Sequence, residues 1–154
     1  MKLAFDSNIL VYLARVFRAP GDVAKCEAVK SLLLRLPDSV ERIVPFQLLG
    51  ECYAVMLRFD YSRERCRDIL LDWTDDFQIL GTSDAAFMSA IELATDHKLQ
   101  FWDALIMGVA AEAGCTLLLS EDLQPGFSWR GVKVINPLAE TLDERLVRIL
   151  DAPQ

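Results

Sequence analysis

The apolar positions along the chain fall into short runs that alternate with longer amphipathic stretches. Five short, mostly apolar runs indicate buried strands, at residues 2–5, 42–44, 77–80, 115–119 and 132–135. Between them, apolar residues recur at helical spacing. Apolar strands separated by helices are typical of a parallel sheet covered on both faces. The pattern therefore predicts a three-layer α/β/α sandwich with a central, mostly parallel sheet of about five strands.

Capping residues and prolines place the helices between these strands. Asp6, Ser7 and Asn8 follow the first strand as a helix start, and Pro45 suits the first turn of a later helix. Gly114 ends a helix over 102–113. Further helices are predicted over 9–16, 20–36, 45–60, from 62, from 83 or 84 to about 97, and over about 141–150. No linker or repeat divides the chain, so we expect one domain over 1–154, with a core of about 1–137 and a C-terminal helix within about 138–150.

Composition and charge narrow the class of protein. The 154 residues are 53% hydrophobic and 25% charged, which excludes a disordered or low-complexity chain. Lys and Arg number 16 against 23 Asp and Glu, for a formal net charge of −7. This charge argues against a basic nucleic-acid-binding module with a large phosphate footprint. An enzyme that approaches nucleic acid through bound metal ions remains compatible with it.

The cellular location of the protein is predicted from the targeting and membrane segments that the sequence lacks. The run of apolar residues at 103–114 is too short and too charged to span a bilayer, and the N-terminus carries Asp6 where a signal peptide would be apolar. The four cysteines form no Cys-x-x-Cys pair. We therefore expect a cytoplasmic protein with reduced thiols, mostly in its core, and no membrane partner.

The histidine content excludes several mechanisms. His97 is the one histidine of the chain, whereas serine and cysteine hydrolases and His-rich zinc sites all need imidazole. We expect His97 to have a structural role near a helix C-terminus.

Acidic residues follow the predicted strands in a suggestive arrangement. Asp6 comes directly after the first strand and Asp122 after the fourth, while Asp103 lies in the first turn of the helix before the fourth strand. Glu51 lies about two turns into the helix after the second strand, between Gly50 and Cys52. Each has a structural alternative, as a helix cap, a dipole partner, a solvated side chain or a turn residue. In proteins with a parallel sheet, ligands bind beyond the carboxyl ends of the strands. We expect these acids to lie close together at that edge of the sheet.

Clustered carboxylates point to a divalent cation. They repel one another and raise each other's pKa unless a cation neutralises them. Oxygen ligands without His or Cys favour Mg²⁺ or Mn²⁺ over zinc. A pair of such ions held by carboxylates is a common device for phosphodiester hydrolysis, and it requires no histidine base.

Four segments in order resemble the PIN-domain ribonucleases, most closely the small VapC-like toxins of toxin–antitoxin pairs. They are Phe5–Tyr12 (FDSNILVY), Glu51 in its helix, Trp102–Ile106 (WDALI) and Leu118–Leu123 (LLSEDL). The segment 134–137 (VINP) is similar to the last strand of the family and its exit. The resemblance covers nearly the whole chain.

The resemblance implies roles for individual residues. Asp6, Glu51, Asp103 and Asp122 would be the catalytic residues and would hold Mg²⁺ or Mn²⁺, with no other cofactor. Asn8 would support the first acid, Asp6, and Ser120 would orient a ligand or water. Glu121 is next to Asp122 and stays an alternative to it, although the spacing from Ser120 favours Asp122.

The implied function is a metal-dependent endoribonuclease that hydrolyses RNA phosphodiester bonds through activated water, as the toxin of a type II toxin–antitoxin pair. The implied partners are RNA, a small antitoxin protein and a second copy of the chain in a homodimer. Which RNA is cut stays open. Two alternatives are a catalytically silent PIN-like protein-interaction module and an aspartate-based phosphatase. The phosphatase needs a second Asp two residues after the first, where this chain has Asn8.

The tryptophans are assigned by their surroundings. Trp73 and Trp102 are expected in the core, whereas Trp129, in the loop that leaves the predicted site, is the better candidate for stacking on an RNA base.

Overall fold

The computed structural model describes residues 1–152. The strands are β1 (Lys2–Phe5), β2 (Glu41–Pro45), β3 (Gln78–Leu80), β4 (Leu117–Leu119), β5 (Ser128–Trp129) and β6 (Val132–Ile135). The helices are α1 (Ser7–Leu13), α2 (Asp22–Arg35), α3 (Phe46–Arg58), α4 (Arg63–Asp76), α5 (Asp84–His97), α6 (Phe101–Glu112) and α7 (Glu144–Leu150).

One mixed sheet lies at the centre, with the strand order β3-β2-β1-β4-β6-β5. All neighbouring pairs are parallel except β5 with β6. Leu3, Ala4 and Phe5 are fully buried. Successive strand residues face opposite sides of the sheet, so both sides of β1 are covered. The predicted α/β fold with a mostly parallel sheet between helices is confirmed.

The sheet has six strands where the sequence pattern predicts about five. The additional strand, β5, pairs antiparallel with β6 through Trp129 opposite Val132. Arg130 and Gly131 connect the two strands, with φ of 45° and 86°. Two residues of positive φ are what a tight I′ hairpin turn requires. A strand of two residues has no hydrophobic period, so the pattern could not indicate it.

Two helix ends differ from the prediction for local reasons. Helix α1 ends at Leu13 because Arg15 has a φ of 60° and the Val16 N–H donates to the Val11 carbonyl, a left-handed helix ending. Helix α7 begins only at Glu144. Asp143 caps it by accepting from the Arg145 N–H at 2.9 Å and also pairs with Lys133 at 2.6 Å.

The expectations for cysteines and membrane segments can be compared with the structure. All four cysteines are free and buried, as expected for core thiols. Within residues 1–152, no helix is long and apolar enough to cross a membrane.

Helices α5 and α6 approach closely because small residues line their contact. Ala86 and Ala90 on α5 are buried, and their backbone lies next to Gly108 on α6. At Gly108, an added Cβ would lie 2.7 Å from the carbonyl oxygen of Ala86. The absence of a side chain at Gly108 therefore sets how close the two helices lie.

Gly108→Ala is expected to destabilise the protein by about 1–3 kcal/mol, because the new methyl group overpacks against backbone that cannot rotate away. Gly50→Ala in α3 is the matched control, since its Cβ would meet no atom within 4 Å. That variant should gain about 0.4–1 kcal/mol from helix propensity and unfolded-state entropy. Urea unfolding of both variants measures the difference. Equal free energies of unfolding for the two would contradict the close contact.

Candidate active site

The candidate site lies at the carboxyl ends of β1 and β4. The chain leaves β1 toward β2 and β3 on one side, whereas β4 leads to β6 on the other. Neighbouring strands whose connections diverge leave a crevice at their carboxyl ends, where ligands bind in this class of sheet. Asp6 directly follows β1, and residues 120–123 directly follow β4.

Asp6 is a buried carboxylate held on both oxygens. It is only 4% exposed. Its Oδ1 accepts from the Ser7 N–H at 2.6 Å and so caps α1, while its Oδ2 accepts from the Ser120 hydroxyl at 2.7 Å. Burial raises the pKa of Asp6, the hydrogen bonds from Ser120 and Ser7 oppose that rise, and the charge of Asp122 adds to it. Asp6 is therefore fixed in position and poorly solvated.

Ser120 joins the two strand ends. It is fully buried. While donating to Asp6, its oxygen accepts from the backbone N–H groups of Asp122 at 3.2 Å and Leu123 at 3.1 Å. A hydroxyl has one donor and two acceptor lone pairs, so all of its hydrogen-bonding capacity is used. Ser120 thereby fixes the β4 loop relative to Asp6.

Glu51 and Asp103 reach the same place from two helices. Glu51 lies in the second turn of α3, which begins directly after β2, and Asp103 lies in the first turn of α6. Burial raises the pKa of Glu51, and the charges of Asp6 and Asp103 add to this rise while Ser7 opposes it. Burial also raises the pKa of Asp103, with contributions from Asp6 and Asp122. The charge of Asp6 thus acts on both helical acids, and Asp122 acts on Asp6 and Asp103, so each of the four acids interacts electrostatically with at least one other.

Asp122 is the exposed member of the group. The Asn8 side-chain amide donates to its Oδ2. Asn8 in turn accepts from Arg18 Nη1 on its Oδ1, at 3.0 Å. Asn8 thus contacts Asp122, whereas the family resemblance suggests support of the first acid, Asp6.

Glu121 points to other partners. Its carboxylate accepts from the Tyr12 hydroxyl at 2.6 Å and forms an ion pair with Lys25. Although partial burial opposes the shift, the hydrogen bonds from Lys25 and Tyr12 lower the pKa of Glu121. The two neighbouring carboxylates on this loop therefore have different environments. The hydrogen bond and ion pair of Glu121 give its charge a structural role, and Asp122 has no such ion pair within the described part of the chain.

The donor set fits a hard divalent cation. Cys52 is next to Glu51 in sequence, but its side chain is fully buried, its thiol donates to the Ser7 carbonyl oxygen at 3.8 Å, and burial raises its pKa. The remaining donors are carboxylate oxygens, which Mg²⁺ and Mn²⁺ prefer. Within residues 1–152, no three His, Cys, Asp or Glu side chains are close enough to enclose an ion without moving.

One of the three tryptophans does not lie where the sequence predicts. Trp73 is buried, as expected, but the expectation for Trp102 is wrong, because its side chain is 58% exposed beside Asp103. It packs edge-on against Phe101 at 5.4 Å. Trp129 is half-buried, with the Arg130 guanidinium 4.5 Å from the ring centre. The hydrophobic period of α6 continues through Trp102, so the sequence could not show that the helix starts outside the core.

Comparison with known proteins identifies a family. A family model described as PIN domain matches residues 3–127. A structure of a toxin–antitoxin complex from Klebsiella pneumoniae has a TM-score of 0.65 at 18% identity, over 88% of this chain and 97% of that chain. VapBC2 from Rickettsia felis, bound to a DNA fragment from their promoter, has a TM-score of 0.62 at 16% identity, over 87% and 97% of the two chains.

A third structure extends the same likeness. Mycobacterium tuberculosis VapC20, described as a sarcin-ricin loop cleaving toxin, has a TM-score of 0.62 at 18% identity, over 78% of this chain and 91% of that chain. A search of curated protein sequences finds no match. At these identities the similarity to the three structures concerns the fold.

In metal-free buffer, the free energy of unfolding is expected to rise as the pH falls from neutral toward about 4, where carboxyl groups of an unfolded chain titrate. The pKa values of Asp6, Glu51 and Asp103 are raised in the folded protein. The folded state therefore binds protons that the unfolded chain releases, and protonation relieves the repulsion. Below this window stability falls again as groups with lowered pKa values, such as Glu121, become protonated.

Urea unfolding in EDTA at a series of pH values measures this dependence. Asp103→Asn should flatten the rise because it removes one of the three protonating groups. The interpretation is wrong if the free energy of unfolding falls steadily across the window, or if Asp103→Asn leaves its slope unchanged.

Proposed function

The chain belongs to the PIN domain family, and on this premise we propose that it is an endoribonuclease that uses Mg²⁺ or Mn²⁺ to hydrolyse RNA phosphodiester bonds. The observation that carries the proposal is the arrangement of Asp6, Glu51, Asp103 and Asp122 around the carboxyl ends of β1 and β4. Three of these acids have pKa values that burial raises, and charges of other acids in the group add to each rise. The repulsion within such a group of carboxylates is unfavourable unless a cation binds there.

Each residue has a distinct part in the proposed reaction. Asp6, Glu51, Asp103 and Asp122 would hold the cation, which supplies the positive charge that activates water and stabilises charge on the phosphate. Ser120 holds Oδ2 of Asp6 in place, and Asn8 holds Oδ2 of Asp122. The carboxylates are the groups proposed to accept a proton from water, whereas the ring of the single histidine, His97, packs edge-on against Phe127.

The proposed biological role is that of a toxin in a toxin–antitoxin pair. The proposed domain organisation is a single PIN-like domain over 1–154, with a core of about 1–137. The fold shared with structures of toxin–antitoxin complexes supports this role. The proposed partners are a small antitoxin protein and a second copy of the chain. Exposed apolar residues offer surfaces for them, at Phe17 and Val23 around the start of α2 and at Phe87, Met88 and Ile91 on α5.

The interaction-module alternative is less well supported by the site. Without a cation, the raised pKa values of Asp6, Glu51 and Asp103 mean that their ionised forms destabilise the fold. A purely structural module would be more stable with neutral residues at these positions.

Trp102 is the proposed contact for an unpaired RNA base. Its exposed indole is next to Asp103 in sequence and is braced by Phe101. Stacking of a base on an aromatic ring contributes about 1–3 kcal/mol. Trp129 is less accessible, since Arg130 lies over its ring.

Asp122→Asn is expected to lower RNA cleavage by about 100-fold or more, because it removes charge that holds the cation. Asp6→Asn, Glu51→Gln and Asp103→Asn should have similar effects. Glu121→Gln is the matched control on the same loop and should reduce cleavage much less. The measurement is cleavage of end-labelled total RNA with Mn²⁺, with Mg²⁺ and with EDTA.

Identical purification of wild type and variants guards against a contaminating nuclease. Cleavage that survives in Asp6→Asn would reject the proposed site. If Glu121→Gln is inactive and Asp122→Asn active, the two loop acids have been assigned in the wrong order. No cleavage with any metal, together with no Mn²⁺ binding by calorimetry, would favour the interaction module.

Trp102→Ala is expected to weaken binding of single-stranded RNA by roughly 5- to 150-fold, the equivalent of one lost stacking contact. Trp102→Phe should restore much of the affinity because it keeps an aromatic face. Binding is measured by fluorescence anisotropy of a labelled RNA in the Asp122→Asn background, so that the RNA stays intact. If Trp102→Ala alters the oligomeric state in light scattering and leaves RNA affinity unchanged, Trp102 contacts protein instead.

A further inference from the structure

Arg18 reaches the candidate site through the side chain of Asn8. Its Nη1 donates to Asn8 Oδ1 at 3.0 Å, and the Asn8 amide nitrogen donates to Asp122. An amide has a carbonyl oxygen that accepts and an NH₂ group that donates. In the reverse orientation its NH₂ would face the guanidinium and its oxygen would face the carboxylate, and both contacts would be repulsive. Arg18 therefore selects the orientation in which Asn8 holds Asp122.

The backbone around Arg18 is itself fixed. Asp22 is 4% exposed, and its Oδ2 accepts from the backbone N–H groups of Arg18 at 2.7 Å and Ala19 at 2.9 Å. The Arg18 guanidinium also lies 5.2 Å from the centre of the Tyr12 ring. A buried acid thus holds the loop between α1 and α2 so that the guanidinium lies over α1 and against Asn8.

We propose that Arg18 is a positioning residue for Asp122, acting through Asn8, and this inference rests on the proposed function of the site. Asp122 is the exposed acid of the group and has no buried partner comparable to the contact between Asp6 and Ser120. Its carboxylate is kept in place from outside, by the relay from Arg18 to Asn8. Loss of Arg18 frees the Asn8 amide to rotate, and Asp122 then spends less time in the orientation that a cation needs.

Arg15 provides a matched control on the same segment. Its guanidinium pairs with Glu27 at 2.6 Å on the exposed surface, and both side chains are about half exposed. Arg15→Met removes the same charge as Arg18→Met from the same region and leaves the relay intact.

The first measurement follows the relay directly, without RNA or metal. In ¹⁵N-labelled protein, Arg18→Met should move the side-chain amide signals of Asn8, and Arg15→Met should not. Asn8 signals that are unchanged in Arg18→Met would overturn the proposal. This result does not depend on whether the protein cleaves RNA.

The second measurement tests the consequence for cation binding and catalysis. Arg18→Met should weaken Mn²⁺ binding in calorimetry by about 10- to 100-fold, as expected for loss of an outer partner of a ligand. It should lower kcat with little change in KM, and Arg18→Lys should recover part of the loss because an ammonium can still donate to Asn8. Asn8→Ala should reproduce the loss, and adding Arg18→Met to it should cause little further change.

Two other outcomes would contradict the relay. If Arg18→Met raises KM and weakens the salt dependence of RNA binding while Mn²⁺ affinity is unchanged, Arg18 contacts a substrate phosphate instead. If its full effect persists in the Asn8→Ala background, Arg18 does not act through Asn8. Failure of the wild-type protein to bind Mn²⁺ would reject the proposed function, whereas the Asn8 signals would still decide whether the relay exists.

Discussion

The buried hydrogen bond from the Ser120 hydroxyl to Asp6 joins the ends of the two central strands, and the remaining geometry of the site depends on it. Its 2.7 Å length and full burial at Ser120 fix Asp6 against the β4 loop. The same Ser120 oxygen accepts two backbone N–H groups and so sets the path of the chain through Asp122. The carboxylate of Asp6 also caps α1, so this one side chain links the end of a strand, the start of a helix and a neighbouring loop. Removing either partner would leave a buried polar group without its hydrogen bond.

The site is held together against its own charge. Burial and neighbouring acids raise the pKa values of Asp6, Glu51 and Asp103, so the ionised group is destabilising without a cation. The surrounding structure tolerates this because β1 and β4, whose ends carry the site, lie in the buried core, and the helices that carry the acids pack against it. Functional sites commonly retain such unfavourable interactions, and the stability of the rest of the fold offsets them.

The hairpin of α1 and α2 gives two neighbouring acids different roles. Lys25 and Tyr12 bind Glu121, whereas Asn8, backed by Arg18, binds Asp122. One carboxylate is thereby neutralised as part of the structure, and the other stays directed toward the shared acidic region. The basic side chains of this hairpin therefore organise the loop, and their presence beside an acidic site is explained by these contacts.

The sequence by itself determined where most strands and helices lie along the chain. Its signals are short apolar runs, caps such as Asp6 and Ser83, and acids placed just beyond strand ends. These signals are local, because hydrophobic period and capping depend on residues close in sequence. Only the tertiary structure decided that β5 exists, that Trp102 is exposed, that Asn8 contacts Asp122, and that Glu121 and Asp122 have separate partners. The partners of Asn8, Glu121 and Asp122 lie far apart along the chain, as Lys25 and Glu121 do, and no local pattern records which distant side chains the fold brings together. Strand β5 is formed locally, but its two residues are too few to show a hydrophobic period.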